Sequence, residues 1–332
     1  MNSKKLIKFI QKKADFEKVI IKPILANDYS TTIKKITDEQ LKAIIENYIS
    51  NDFFSFLKGC INIFDREYIA EENVYLGTND DIKTDYKLFL QTSLKIKKFS
   101  RIIDVNIDNH GVKLEDENDV ENLQLISSNP HEWNVNLDIS NFNKYTGEVL
   151  IFGTLSGSEH NHVLYDNNYT IVLSVEGLKN DSTHPIWAES LIDGYLELQN
   201  GNNKNAFLNF FASSDYLINF LHELIFEYYL KEISSNGIND DVKKKIRKLS
   251  NKRQRLQDKL LNIGDELNID IKKINCYKKW VQFTSIRDTI AHGGKYVCSY
   301  DLKEVLIDII TLIMTLLSGV NIEEKGWKNV VK

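Results

Sequence analysis

The sequence predicts an α+β protein in which a β-rich or mixed N-terminal region precedes an all-α helical bundle. Two changes in hydrophobic periodicity indicate this class. Apolar residues recur at helical spacing up to about residue 70, alternate with polar residues over much of the next stretch, and return to helical spacing after "NDSTHPIW". We therefore divide the chain into a helical segment (1–70), a β-rich region (71–182) and a helical bundle (183–332).

The first segment contains a clear helix signal, "TDEQLKAIIENYI". Thr37 is placed to cap this helix and Gln40 follows three residues later, which is the pattern of a capping box. The β-rich region contains "WNVNLDI", where Trp133, Val135 and Leu137 alternate with polar residues as in a half-buried strand. The stretches "IIDVNID", "GEVLIFGTL" and "YTIVLSVEG" predict further strands, separated by turns rich in Gly and Asn.

The C-terminal region predicts a bundle of about five helices. A first helix, "IWAESLIDGYLEL", precedes a long one over 205–233 that is apolar around most of its circumference and must be surrounded. The polar positions of this long helix recur every four residues along one stripe that includes Asp215 and Asn219. The last helix contains "VLIDIITLIMTLL", whose wide apolar face predicts burial in an interface between two copies of the chain.

Composition excludes several classes of protein. The three cysteines are far apart and form no CxxC pair, which argues against a disulfide framework or a zinc knuckle. His160 and His162 share one side of an extended segment with acidic neighbours, but a polar loop fits them better, and we expect neither a metal ion nor a cofactor. Lysines interrupt any signal peptide, and no apolar stretch reaches the roughly 20 residues of a membrane span. A cytoplasmic location is expected.

The net charge of −5 hides an uneven distribution. Residues 243–259 contain nine Lys or Arg against one Asp, a local balance of 9 − 1 = +8, whereas 115–121 contain five acids and no base. Only the basic helix predicted over 243–259 would attract a polyanion, with Lys252, Arg253 and Arg255 as the RNA-binding residues. A solvated helix face explains the same run, because it lacks aromatic residues for base stacking.

One stretch near the end of the bundle, "SIRDTIAHGG", contains the candidate catalytic residues. Arg287 falls in phase with the apolar stripe of Cys276, Trp280, Phe283 and Ile290, so this arginine must face a partner, a ligand or an interface. On the adjoining stripe Asp288 and His292 are one turn apart and can touch.

The two glycines after His292 end the helix and leave this histidine at its C-terminal cap. There the helix dipole and the Asp288 carboxylate both favour the protonated ring. A histidine that changes charge near neutrality, beside a guanidinium that can fork onto a phosphate, indicates phosphodiester chemistry. The alternative is a purely structural role, in which a paired, buried arginine lies beside a solvated capping histidine.

The helical half, ending in Arg287, "DTIA", His292, Gly293 and a long apolar helix, resembles the HEPN superfamily over roughly 183–320, especially the ApeA-like HEPN domains of bacterial anti-phage proteins. The resemblance implies a bundle that dimerises so that two motifs face each other. It also implies a metal-independent endoribonuclease that serves as a toxin or abortive-infection effector, set off by a phage or host protein. The family often has Asn or His at the position of Asp288.

Roles for the motif follow from the same resemblance. His292 would act as general base or acid, Arg287 would stabilise the phosphorane, and Asp288 would orient the imidazole. Residues 1–182, for which we see no resemblance, would sense or restrain. Two alternatives remain: a non-catalytic HEPN-like module that binds a nucleotide, a nucleic acid or a protein, and an interaction protein assembled through its apolar helices.

Overall fold

The computed structural model describes residues 3–13, 43, 63–78, 87–113, 125–126, 128–129, 133–157, 169–236, 240–250, 254–293 and 300–320. The predicted cap at Thr37 and Gln40, the acidic segment 115–121, and the pairs His160 with His162 and Lys252 with Arg253 lie outside these residues. The predicted fold class is confirmed, because antiparallel sheets occupy the N-terminal half and helices follow. The chain divides into two compact units, one comprising Phe64–Thr183 and the other Met1–Ile63 with His184–Lys332.

The first unit consists of antiparallel strands. Their bounds are β1 (Asp65–Glu71), β2 (Gly77–Thr78), β3 (Lys87–Lys95), β4 (Phe99–Lys113), β5 (Leu125–Ile126), β6 (Ser128–Asn129), β7 (Trp133–Phe142), β8 (Glu148–Gly157) and β9 (Tyr169–Lys179). One sheet has the order β1-β9-β4-β5 and the other β2-β3-β8-β7-β6. All four segments predicted as strands, including "WNVNLDI", lie in β4, β7, β8 and β9.

The two sheets share one apolar core. Residues of the first sheet, such as Ile102 and Val175, belong to the same buried cluster as Val135 and Ile151 of the second sheet. On β7 and β8, alternation places these side chains on the inner face and the intervening residues outside, whereas β9 is buried along almost its whole length. The unit is therefore a β-sandwich.

The boundary of this unit differs from the predicted one. Residues 65–70, which we assigned to the helical segment, form most of β1 and pair with β9 from Asp65 opposite Gly177 to Glu71 opposite Ile171. Strand β1 is half-buried along its length, so its burial lacks the clean alternation by which a strand is found in a sequence.

The second unit is helical. Its described elements are α1 (Ser3–Lys13), α2 (Ile186–Gln199), α3 (Asn203–Asn236), α4 (Asp240–Leu249), α5 (Leu256–Leu267), a 3₁₀ turn (Ile271–Lys273), α6 (Asn275–Ala291) and α7 (Leu302–Val320). Helix α3 packs against each of the other α-helices in the described ranges, as its apolar circumference predicted.

The basic segment 243–259 is not one helix. Helix α4 ends at Leu249 and α5 begins at Leu256, with Arg255 at the N-cap of α5. The Arg255 amide donates to the Asp258 carboxylate, and the Gln254 side chain donates to the Lys248 carbonyl, so local polar groups replace the helical pattern here. The region 183–320 therefore holds six described α-helices instead of about five.

Helix α7 is covered within the single chain. Its residues from Val305 to Leu317 are buried except Thr311, and α1, α3, α5 and α6 pack against it. The apolar width of this helix therefore calls for no second subunit, in contrast to the prediction. None of the helices in the described part of the chain is both long enough and apolar enough to span a bilayer.

Candidate active site

Helix α6 positions Arg287. Its apolar stripe is buried as predicted at Cys276, Trp280, Phe283 and Ile290, and Arg287 continues the stripe with a side chain that is 33% exposed. Arginine at such a position needs partners that compensate for the lost hydration.

The guanidinium of Arg287 has three such partners. Its Nη1 donates to Asp288 Oδ1 at 2.8 Å, and its Nη2 lies 3.5 Å from Asp215 Oδ2 on α3. The guanidinium carbon lies over the ring of Phe211, 5.2 Å from the ring centroid, in cation–π geometry. Two carboxylates and one aromatic face therefore fix the orientation of Arg287.

Asp215 is itself held by a polar chain on α3 and α5. The side-chain amide of Asn219 donates to both the carbonyl and the carboxylate of Asp215, and Lys259 Nζ donates to Asn219 Oδ1 at 2.6 Å. Burial raises the pKa of Asp215, and Arg287, Asn219 and Lys259 oppose this shift only in part. Sequence reasoning had placed Asp215 and Asn219 on one stripe of α3 but gave Asp215 no role, since nothing in the sequence pairs α3 with α6.

The raised pKa of Asp215 predicts a pH-dependent effect of Asp215→Asn. A carboxyl whose folded-state pKa is above its ordinary value stabilises the fold at low pH, and this contribution is lost as pH rises through the folded-state pKa. The asparagine variant has no such loss. We therefore expect the difference in the free energy of unfolding, variant minus wild type, to increase from about pH 4 to neutrality. Urea unfolding of both proteins over this pH range measures the difference. A difference that stays constant or falls over this range would contradict it.

An aromatic stack supports the site from the core. The Phe211 ring that carries Arg287 stacks on Trp280, with ring centroids 5.9 Å apart and an interplanar angle of 16°. The Trp280 indole is 1% exposed and donates from Nε1 to Ser214 Oγ at 3.0 Å. A row of stacked side chains therefore leads from the surface into the core, in the order Arg287, Phe211 and Trp280.

His292 caps α6, as predicted. Its backbone N–H donates to the Asp288 carbonyl and the N–H of Gly293 donates to the Ile290 carbonyl, and the exposed Gly293 has φ +82°, a conformation that favours glycine. The predicted contact between the Asp288 carboxylate and the imidazole is absent, because that carboxylate bonds Arg287. The permanently charged guanidinium is the stronger donor. The imidazole is exposed and makes no hydrogen bond to the described residues.

An open cavity of about 990 Å³ brings the site residues together. Arg287, Asp288 and His292 line it from α6, and Arg255 lines it from the start of α5. The structure thereby places one predicted RNA-binding residue beside the three predicted catalytic residues. Lys252 and Arg253, the other two, lie outside the described residues.

No group of three or more metal-ligating side chains that could hold an ion occurs in the described ranges. His222 on α3 is buried, and its pKa is lowered by burial and by the nearby Lys259. The lowered pKa favours the neutral form of this buried histidine.

No protein-family model, curated protein or solved structure matches this chain. The residues that line the cavity are therefore what indicates a function.

Proposed function

We propose that the chain is a metal-independent endoribonuclease of HEPN type that acts as a toxin or anti-phage effector, with the remaining N-terminal region as sensor or regulator. The observation that carries this proposal is the shared cavity of Arg255, Arg287, Asp288 and His292. An exposed imidazole and two guanidinium groups in one open cavity provide a proton carrier and two groups that can bind phosphate.

The proposed reaction needs no metal-bound water. His292 takes the proton of the ribose 2′-OH, whose oxygen forms a bond to phosphorus while the bond from phosphorus to the 5′-oxygen breaks. The departing 5′-oxygen receives a proton from a second imidazole, which we assign to a second copy of His292 in a homodimer. Arg287 stabilises the phosphorane charge, and Asp288 holds Arg287 instead of orienting the imidazole.

The dimer surface must differ from α7, which is already covered. Tyr216 and Phe220 are exposed on α3, each one residue after a member of the polar chain that holds Arg287. Exposed aromatic side chains at this spacing favour a contact between copies that lies near the cavity.

A non-catalytic binding module is the second candidate function. The observation in its favour is that Arg287 already faces two carboxylates, Asp215 and Asp288. A phosphate must compete with both, which lowers the affinity of the guanidinium for RNA and its capacity to stabilise the transition state.

Product chemistry separates the two candidates. We expect the full-length protein to cleave RNA in the presence of EDTA and to leave 2′,3′-cyclic phosphate or 3′-phosphate ends with 5′-hydroxyl ends. Mass spectrometry of cleaved oligoribonucleotides identifies these ends. A 3′-hydroxyl with a 5′-phosphate, or a requirement for a divalent metal, would contradict the proposal, and RNA binding without cleavage would favour the binding module.

Arg255 provides a separate test of RNA contact. We expect Arg255→Ala to weaken RNA binding and to reduce the slope of log affinity against log salt by about 1, because one fewer counterion is released. Lys278→Ala is the matched control, since Lys278 is exposed on α6, nine residues and therefore half a helical revolution from Arg287. Fluorescence anisotropy over a salt series measures both variants. Equal slopes for Arg255→Ala and wild type would mean that Arg255 only caps α5.

A further inference from the structure

The β-sandwich carries a second surface with the features of a binding site, on the outer face of the sheet β2-β3-β8-β7-β6. Strand β8 alternates between the core residues Val149 and Ile151 and the outward residues Leu150 and Phe152. Phe152 is 41% exposed and Leu150 39%, at the centre of the sheet, beside the exposed polar residues Asn136 and Asp138 of β7. Neither side chain belongs to the buried cluster that contains Val149 and Ile151 of the same strand.

The strand register aligns Phe152 with polar and aromatic neighbours. Asp138 on β7 and Gln91 on β3 lie directly opposite Phe152, and Gly77 on β2 lies opposite Gln91. Tyr75, two residues before Gly77, is 72% exposed. A Cβ atom placed on Gly77 would lie 3.9 Å from both the Tyr75 ring and Gln91 Cγ, so the Tyr75 ring lies over this glycine beside Gln91. We call Asp138, Phe152, Gln91 and Tyr75 the aromatic row.

The aromatic row places two exposed rings two strands apart, about 10 Å, with a side-chain amide between them. The amides of Gln91, Asn136 and Asn141 are exposed on this face and make no hydrogen bond to described residues. Asp138 accepts the Ile139 N–H with Oδ1 at 2.8 Å, which leaves Oδ2 for a ligand. The surface therefore offers both stacking faces and unused donors and acceptors.

Charge on this face argues against a nucleic acid. Among the outward positions of this face, Asp138 and Glu148 are acidic and Lys95, directly opposite Glu148, is basic, and the register also places Lys87 at an outward position, opposite Ser156. Single-stranded nucleic acids need a basic groove beside the stacking rings, whereas the charged residue directly opposite Phe152 is the acidic Asp138 and the two lysines lie at the ends of β3. A protein partner would have to match each of the unpaired amides as it buried them, at a cost of about 1–3 kcal/mol for each one left unsatisfied.

We propose that the aromatic row binds a neutral oligosaccharide. The apolar faces of two sugar rings stack on Phe152 and Tyr75, while Gln91 and Asp138 bind ring hydroxyls, which donate and accept equally well. An uncharged polyol satisfies the amides without demanding a basic surface. This inference concerns the first unit and holds whether or not the helical unit cleaves RNA.

The test is calorimetric titration of the full-length protein with maltohexaose, cellohexaose and chitohexaose, and with a ten-residue oligothymidylate as the polyanion. We expect at least one neutral oligosaccharide to bind at millimolar concentration or below. Phe152→Ala and Tyr75→Ala should each weaken this binding by about tenfold, the loss of one ring stack. Tyr145→Ala is the matched control, because Tyr145 is an exposed aromatic of the same unit that stands outside the row and faces Arg101.

Three results would overturn the proposal. One is the failure of all three oligosaccharides to bind at millimolar concentrations. Another is oligosaccharide binding that Phe152→Ala and Tyr75→Ala leave unchanged. The third is oligothymidylate binding that Phe152→Ala abolishes, which would make the face a nucleic-acid surface. Phe152 and Tyr75 are exposed, so their alanine variants should fold, and circular dichroism checks this directly.

Discussion

His292→Ala is expected to reduce RNA cleavage by at least about 100-fold, because the imidazole is the proposed proton carrier and no other histidine lines the described cavity. RNA binding should be nearly unchanged, since the imidazole serves the transition state more than the bound substrate. The fold should also be unchanged. His292 is exposed at the end of α6, and its side chain makes no hydrogen bond to a described residue. Single-turnover cleavage and anisotropy measure the two quantities separately.

Arg287 and Lys278 provide the comparison. Arg287→Ala should impair both binding and cleavage, because the guanidinium contacts the phosphate throughout, and Arg287→Lys should restore little since the planar fork is lost. Lys278→Ala should match wild type in both. A well-folded His292→Ala protein with full activity would overturn the assignment of the site, and equal losses of binding and cleavage would make His292 a binding residue.

Subunit mixing tests the proposed dimer with the His292→Ala variant. The proposed reaction uses both copies of His292, so a mixed dimer of a wild-type and a His292→Ala chain lacks one of the two imidazoles. Adding an excess of the His292→Ala protein to the wild-type protein should therefore suppress cleavage. Unchanged cleavage in the mixture, together with a monomer by light scattering, would count against the composite site.

Helix α6 shows what the sequence alone could determine. The spacing of Trp280, Phe283 and Ile290 reports which face of the helix is buried, and that face contains Arg287 whatever the helix packs against. The same local reasoning placed His292 at the helix end, because glycine after the last periodic residue is a stop signal. Strand β7 could be predicted from the sequence equally well, because alternation is a property of consecutive residues.

Contacts between distant segments were beyond such reasoning. Asp215 lies 72 residues before Arg287, and both Asp215 and Asp288 were available as partners on the sequence. The carboxylate of Asp288 could reach His292 by spacing, yet the guanidinium competes for it more strongly. Likewise the apolar width of α7 gave no means to distinguish cover by a second copy from cover by α1, α3, α5 and α6.

Trp280→Ala is expected to have the largest effect on stability, a loss of about 3–5 kcal/mol in the free energy of unfolding of the helical unit. The indole is 1% exposed and stacks on Phe211, so its removal forfeits the burial of a large side chain and leaves a cavity between α3 and α6. The hydroxyl of Ser214 keeps its bond to the Phe211 carbonyl, so the cavity and not a lost hydrogen bond dominates the cost. Urea unfolding followed by far-ultraviolet circular dichroism measures it.

The same substitution should reach the site through Phe211. Without the indole behind it, the Phe211 ring can shift into the cavity, and the Arg287 guanidinium loses the surface that orients it. We therefore expect Trp280→Phe, which fills more of the space, to unfold less readily than Trp280→Ala and to retain more cleavage activity. Lys278→Ala, on the same helix but exposed, should change the free energy of unfolding by no more than about 0.5 kcal/mol. A loss below about 1 kcal/mol for Trp280→Ala would mean that α3 and α6 close over the missing ring, and Arg287 would then not depend on the stack beneath it.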